Sequence, residues 1–453
     1  MKKRLLTLIL ASLLTFGGCA SAPEISMDAH AVAQAEYPAM APYPNEADYM
    51  DEKTYDFNYE AYEADFLKWE ETASKTDYNQ MKSIVSGMAP FVRKTAAQLL
   101  ADAGTENRAY SPLNLYFALG MLAELTDGSS RAQVLDLMGT DDPETLRSDI
   151  AALWESNYSD DGRVTSILAN SLWLNENYTF KQPTMEILAQ NHRASSYRGT
   201  MGSEGFSEVF RNWMNQQTGG LLEDSVKNLG FTAQTVLALA STIYFAAGWS
   251  DEFPESRTEE AVFHAPDGDI SCEFLNETNT AAYYYGENFS AAAKYLEGSG
   301  KMWLILPDEG VSPEELLTDE EVSALYLGGE TNRKTVLLNL SIPKFDVSSD
   351  IDLIGELKAL GVTDVFEPGA ADFSPMTEQS DGLAVTEAKH AARVTIDEKG
   401  CQAAAYTVML TEGAAMPPDE EADLILDRPF LFVLTAQDGS VLFMGIVNNP
   451  AEN

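Results

Sequence analysis

The residue types that usually carry catalysis are sparse in this chain and never fall into a working arrangement. Only 4 His occur in 453 residues, and His30, His192 and His264 stand in polar, loop-like surroundings. No nucleophile sits with a base in a recognisable pattern, and there is no G-x-S-x-G elbow. No HExxH, CxxC or paired-His spacing is present, so neither a metal nor a cofactor is expected. Gly298-Ser299-Gly300-Lys301 lacks the upstream Gly and the following Ser/Thr of a phosphate cradle, and reads as a turn before a strand at Met302. The sequence therefore points away from an enzyme. The stretch from Thr395 to Thr407 offers a different chemistry, that of a backbone able to join a sheet. It opens strand-like, turns at Asp397-Glu398-Lys399-Gly400, and becomes a run of small residues. Alternation places Cys401, Ala403, Ala405, Thr407 and Met409 on one face of a strand. That face is small and mostly apolar, and no Pro interrupts Gly400 to Met416. The chain beyond it, through Pro417-Pro418 to Asp423, has no packing pattern, and long loops of that kind in compact domains are usually functional.

The elements that must hold such a loop are legible in outline. Val92, Ala96, Leu99 and Leu100 give a helical face ending at Gly104, and Ser111-Pro112 opens a more apolar helix running to Leu125 and ended by Asp127-Gly128. Buried strands are predicted at Thr235–Phe245, Met302–Leu306 and Thr335–Ile342. Phe430–Thr435 and Val441–Val447 flank Asp438-Gly439-Ser440 and predict a hairpin. Helices first and strands later argue for an α+β fold. The hydrophobic fraction of 45% supplies a large core. The net charge of −42 disfavours nucleic acid and anionic membrane surfaces.

Glu398-Lys399-Gly400 followed by Ala403–Ala405 and Thr407 resembles the reactive-loop hinge of the serpins. Ser111-Pro112-Leu113, Asn170 to Leu174, Thr218-Gly219-Gly220, Ile243-Tyr244-Phe245 with Gly248-Trp249, Leu306-Pro307-Asp308, Pro343-Lys344-Phe345, Leu360 to Phe366, Arg428-Pro429-Phe430 and Phe443-Met444-Gly445 follow in that family's order. The resemblance covers about Met81 to the end. It implies one domain over 81–453, three β-sheets with about nine helices, and an exposed reactive-centre loop over about 398–427. It also implies suicide inhibition of a serine protease, in which the cleaved loop inserts as a strand through its hinge residues, Glu398 to Thr407 (Glu398, Lys399, Gly400, Cys401, Gln402, Ala403, Ala404, Ala405, Tyr406, Thr407). The sheet-opening region implied is Ser111, Asn114, Arg211, Ser241, Trp249 and His390. Departures from the family are Cys401 for Thr, Tyr406 for a small residue, Asn114 for Ser, and Ser241 and Arg211 for Asn. Asn114 and Ser241 suggest an exchanged pair that keeps one hydrogen bond, and Cys272 and Cys401 are expected to be free thiols.

Counted in the family's register, the scissile bond lies between Ala414 and Ala415. Ala there fits a shallow primary pocket, elastase-like or subtilisin-like. No Lys or Arg lies between Lys399 and Arg428, which argues against a trypsin-like target, and Asp419 to Asp423 would attract a basic protease. A non-inhibitory serpin or a surface binding lipoprotein is the alternative. A monomer is expected.

The N-terminus has Lys2, Lys3 and Arg4, then an apolar run to Phe16, then Gly17-Gly18-Cys19, the layout of a secretory signal peptide over 1–18. Cys19 resembles the lipidated residue of a bacterial lipobox, so the expected location is extracellular, lipid-anchored at a bacterial cell surface or secreted, with the membrane touched only through the lipid. Residues 19–80 read as an acidic Ala/Tyr/Pro-rich tether. Within it, Tyr55, Tyr59, Tyr62, Phe66 and Trp69 predict an aromatic-striped helix near 55–70 that packs on the domain body.

Overall fold

Helix Pro112–Leu125 forms because Ser111 caps it, accepting a hydrogen bond from Asn114 N, and because Pro112 fits the first turn. Every residue of it except Ala118 is buried, as expected for a helix apolar all round. It packs on strands Leu237–Gly248 and Val441–Val447, which belong to different sheets. The core is therefore a sandwich with this helix inside it. The structure, a computed structural model, describes residues 27–452 apart from 52, 74–75, 102, 221–225, 402–417 and 419. Among the described residues there are ten α-helices and three sheets, an α+β architecture.

The six-stranded sheet runs Ala31–Ala33, Ala194–Gly199, Val164–Asn175, Leu237–Gly248 and Gly400–Cys401, with Ser159–Asp160 paired to Val164–Asn175. Its outer face is covered by helix Glu204–Gln217, whose Phe206, Val209, Phe210, Trp213 and Met214 cluster with Ala169, Trp173 and Ala240 of the sheet. A nine-stranded sheet contains the hairpin Phe430–Thr435 and Val441–Val447. Its turn is held by Ser440 N donating to Asp438 Oδ1, with Gly439 at φ 89°. The third sheet is the antiparallel pair Asp346–Asp352 and Lys389–Thr395.

Two expectations need correction. Asp127-Gly128 does not merely end a helix: Asp127 caps a new one, Gly128–Met138. The described part of the tether is also no free linker. Ala31–Ala33 adds an edge strand to the main sheet by pairing with Ala194–Gly199. Helix Tyr59–Thr72 turns Tyr62, Phe66 and Trp69 inward against Tyr43 and Tyr49. Trp69 Nε1 donates to Asp161 Oδ2 at 2.9 Å. The segment packs because unpaired aromatics in water lose the burial free energy of their rings. Tyr55 and Tyr59 do not join that stripe: Tyr55 precedes the helix with φ 59°, and both are exposed. Residues 1–18 and Cys19 lie outside the described residues.

Candidate functional site: the hinge and the sheet opening

Strand Lys389–Thr395 leads into a tight turn. Asp397 Oδ1 accepts from Lys399 N at 2.8 Å and Gly400 N at 3.1 Å, while Asp397 N donates to Gly400 O. The turn is clamped from one side by the segment after strand Leu237–Gly248. Trp249 Nε1 donates to Asp397 O at 2.9 Å, Trp249 N to Lys399 O and Phe253 N to Glu398 O. Trp249 is buried, so its indole N–H needs such a partner.

Glu398 faces Lys344 at 2.7 Å and Thr258 at 2.8 Å. Burial alone would raise its carboxyl, but Lys344, Thr258 and its own backbone N–H outweigh that and hold it below the usual carboxylate range. Gly400 is required by close approach: a Cβ there would sit 2.4 Å from Ala247 O. Cys401 is buried, and burial pushes its thiol up to about 12. Cys272 and Cys401 are both free thiols.

Gly400 and Cys401 pair antiparallel with Gly248 and Ala247, and Cys401 also bridges Ile396. Among the described residues no further ladder joins Leu237–Gly248 to Lys389–Thr395. The two strands thus flank a slot that the hinge enters at its head. Beneath the hinge, Cys401 shares a small cavity with Ile243, Phe245 and Val394. Gln402, Ala403, Ala404, Ala405, Tyr406 and Thr407, and the Ala414–Ala415 bond, lie outside the described residues.

Lower in the slot, the start of helix Pro112–Leu125 ties the two sides together. Ser111 N donates to His390 Nε2 at 2.9 Å, and Asn114 Nδ2 donates to Ser241 O at 3.0 Å. His390 is buried with its pKa lowered to about 4 by desolvation, so it is neutral at pH 7 and its Nδ1 carries the proton. The Asn114–Ser241 bond is made to the backbone carbonyl rather than to the hydroxyl. Ser241 Oγ is left buried without a partner. Arg211 is not brought together with this group: it reaches Leu229 O and Glu204 from the covering helix. Its long side chain bonds locally instead of crossing the sheet.

Several residues of the site escape sequence reasoning. Lys344, Thr258 and Phe253 hold the hinge through contacts far apart in the chain, and only Pro343-Lys344-Phe345 carries a motif that could have flagged one of them. His192, expected in a loop-like setting, is buried beside Glu124 at 3.4 Å.

An α+β body with a main sheet split beside a strand-entering hinge is the class of structure this site defines. The family model described as serpin (serine protease inhibitor) matches residues 87–450. Similar curated proteins include Serpin-ZX of Arabidopsis thaliana, 28% identical over 76% of this chain and 92% of that protein. Alpha-1-antitrypsin 1-3 of Mus musculus is 27% identical over 84% of this chain and 92% of its own length. Plasminogen activator inhibitor 1 of Neovison vison is 27% identical over 84% and 96%. The native-state structure of the thermophilic serpin tengpin superposes with a TM-score of 0.72 at 25% identity, covering 81% of this chain and 94% of tengpin. The chain belongs to the serpin family, a family described as serine protease inhibitors rather than as enzymes.

Proposed function

We propose that the protein is a suicide-type inhibitor of a serine protease with a small primary pocket, elastase-like or subtilisin-like, and that it traps its target by inserting the cleaved loop into the open slot. The single observation carrying this reading is that Gly400 and Cys401 pair with Gly248 and Ala247 while Cys401 also bridges Ile396 at the head of that slot. Continuing the same register in the cleaved protein would set Ala403 between Phe245 and Val394, and Ala405 between Ile243 and Ala392. Thr407 would come between Ser241 and His390. The flanking side chains at the upper two positions are buried and apolar, which suits alanine. At the third, the Thr407 hydroxyl would reach a Ser241 Oγ that now lacks a partner. Tyr406, by alternation, would face the other way.

The target class follows from Ala414–Ala415 as the scissile bond and from the absence of Lys and Arg between Lys399 and Arg428. The exposed acids Glu420, Glu421 and Asp423 beside the loop favour a basic protease. Placement at a bacterial surface through lipidated Cys19 belongs to the same proposal. Mixing the protein with an elastase should give a covalent complex that survives SDS and boiling. Clean loop cleavage with full protease activity afterwards would place the chain among non-inhibitory serpins.

A further inference from the structure

At the head of the slot two complementary polar atoms are sealed from solvent without partners: Glu297 Oε2 and Arg163 Nε. Either state is costly in a folded protein. Glu297 lies in the turn Leu296–Gly300, closed by Leu296 N donating to Gly300 O at 2.9 Å. That turn is joined to the hinge clamp, because Leu296 bridges Trp249. Glu297 Oε2 lies 3.5 Å from where a Cβ on Gly248 would stand, a point equally close to Lys399 O. Its carboxyl thus lies over the residue that pairs with Gly400.

The groups facing Glu297 are few. Arg163 and Asp161 come from the turn before Val164, Glu252 from the segment after Trp249, and the hinge presents the neutral carbonyl of Lys399. Arg163 is itself held, with its guanidinium 3.8 Å from the centre of the Tyr43 ring. Burial raises the Glu297 carboxyl to about 7, with Arg163 opposing and Glu252 and Asp161 adding to the rise. A carboxyl that holds its proton more tightly than in water favours the closed arrangement at low pH. That advantage is lost as pH rises from the ordinary carboxylate range through about 7.

We propose that Glu297 is a protonation-controlled latch on the hinge. Neutral, it lies over Gly248 and keeps the Leu296–Gly300 turn closed against the clamp; ionised, it moves to Arg163 Nε and loosens the turn's hold on Gly248–Trp249. The latch rests on the hinge assignment made above but not on protease inhibition. Its test therefore uses the hinge thiol and no protease.

The full chain and its Glu297→Gln variant are labelled with a neutral maleimide, and Cys401 is followed by peptide mapping from about pH 5.5 to about pH 8.5. Thiolate ionisation accelerates both proteins alike, so the ratio of wild-type to variant rates isolates hinge opening. The ratio should rise by at least about tenfold from the acid end to the alkaline end, the effect of more than one unit of differential proton affinity. Cys272, half-buried on strand Gly268–Tyr285, should keep a ratio near unity throughout. Arg163→Gln should move the midpoint to higher pH, because no cation is left to receive the carboxylate. A Cys401 ratio that stays flat, or an Arg163→Gln midpoint that does not move, overturns the latch.

Discussion

Gly400 is the narrowest point of the hinge, and its role follows from contact rather than from backbone freedom. Its neighbours are Ala247 O and the Gly248 Cα, which a methyl group would meet at 2.4 and 2.9 Å. Backbone atoms of a central strand cannot step aside as the end of a side chain can. Gly400→Ala should therefore destabilise the native protein by about 1–3 kcal/mol, read as a lower urea midpoint, while Gly355→Ala, with open space at its Cβ, should not. The sequence made Gly400 visible as a turn residue after two charges, but the close approach that requires it depends on Gly248, more than a hundred positions away. The same holds for Glu398. Its place in the motif was legible, whereas Lys344 and Thr258, which fix its charge state, belong to other elements with no periodic signal. His390 was named from the resemblance as part of the opening region, but its burial and its neutrality follow from desolvation that only the packed sheet supplies.

At the scale of elements, what was legible is what has a local cause. The hairpin Phe430–Thr435 and Val441–Val447 was readable to the residue, because two β-prone runs flank a turn whose Asp438 and Gly439 do their work within five positions. Helix Pro112–Leu125 was readable from its cap. The split of the main sheet was not, since it depends on which edges pair. If the slot takes the loop after cleavage, the inward face must stay small and uncharged. Ala403→Arg and Thr407→Arg should leave the loop cleavable, because both lie several residues before Ala414–Ala415. Each should block insertion by forcing a cation without a charged partner into the buried interior of the sheet, at about several kcal/mol. The variants would then behave as substrates rather than inhibitors, scored by recovered protease activity. In parallel, loop-cleaved wild type should melt well above the intact protein, and the cleaved Arg variants should gain little. Arg variants that still inhibit and still gain heat stability would mean that the inward face is misassigned.

For the whole molecule, the path of the N-terminal segment relates the proposed anchor to the hinge. Val164 is level with Ala247, which pairs with Cys401, so the start of strand Val164–Asn175 marks the hinge pole. Arg198 pairs with Leu174 near the other end of that strand, and Arg198 N donates to His30 O at 2.7 Å. The chain thus joins the body at the pole away from the hinge and climbs its flank, reaching the hinge level where Tyr43 N donates to Asp161 O at 2.8 Å. The composition of this stretch suggested a tether because it is acidic and rich in Ala, Tyr and Pro. The aromatics that bind it down find their partners only in the folded sheet. From Cys19 to Met27 the backbone can reach at most about 28 Å, so a lipid on Cys19 would hold the foot of the molecule near the bilayer and present the hinge pole outward. Cys19→Ala should then move the protein from the membrane fraction to the medium, or leave it as the unprocessed precursor, with its inhibitory behaviour in solution unchanged. Fractionation of cells expressing the two forms, followed by intact-mass measurement of the wild type, decides this. A wild-type protein already soluble and carrying no lipid would remove the anchor from the account, and with it the outward orientation, while leaving the slot and its hinge as they stand.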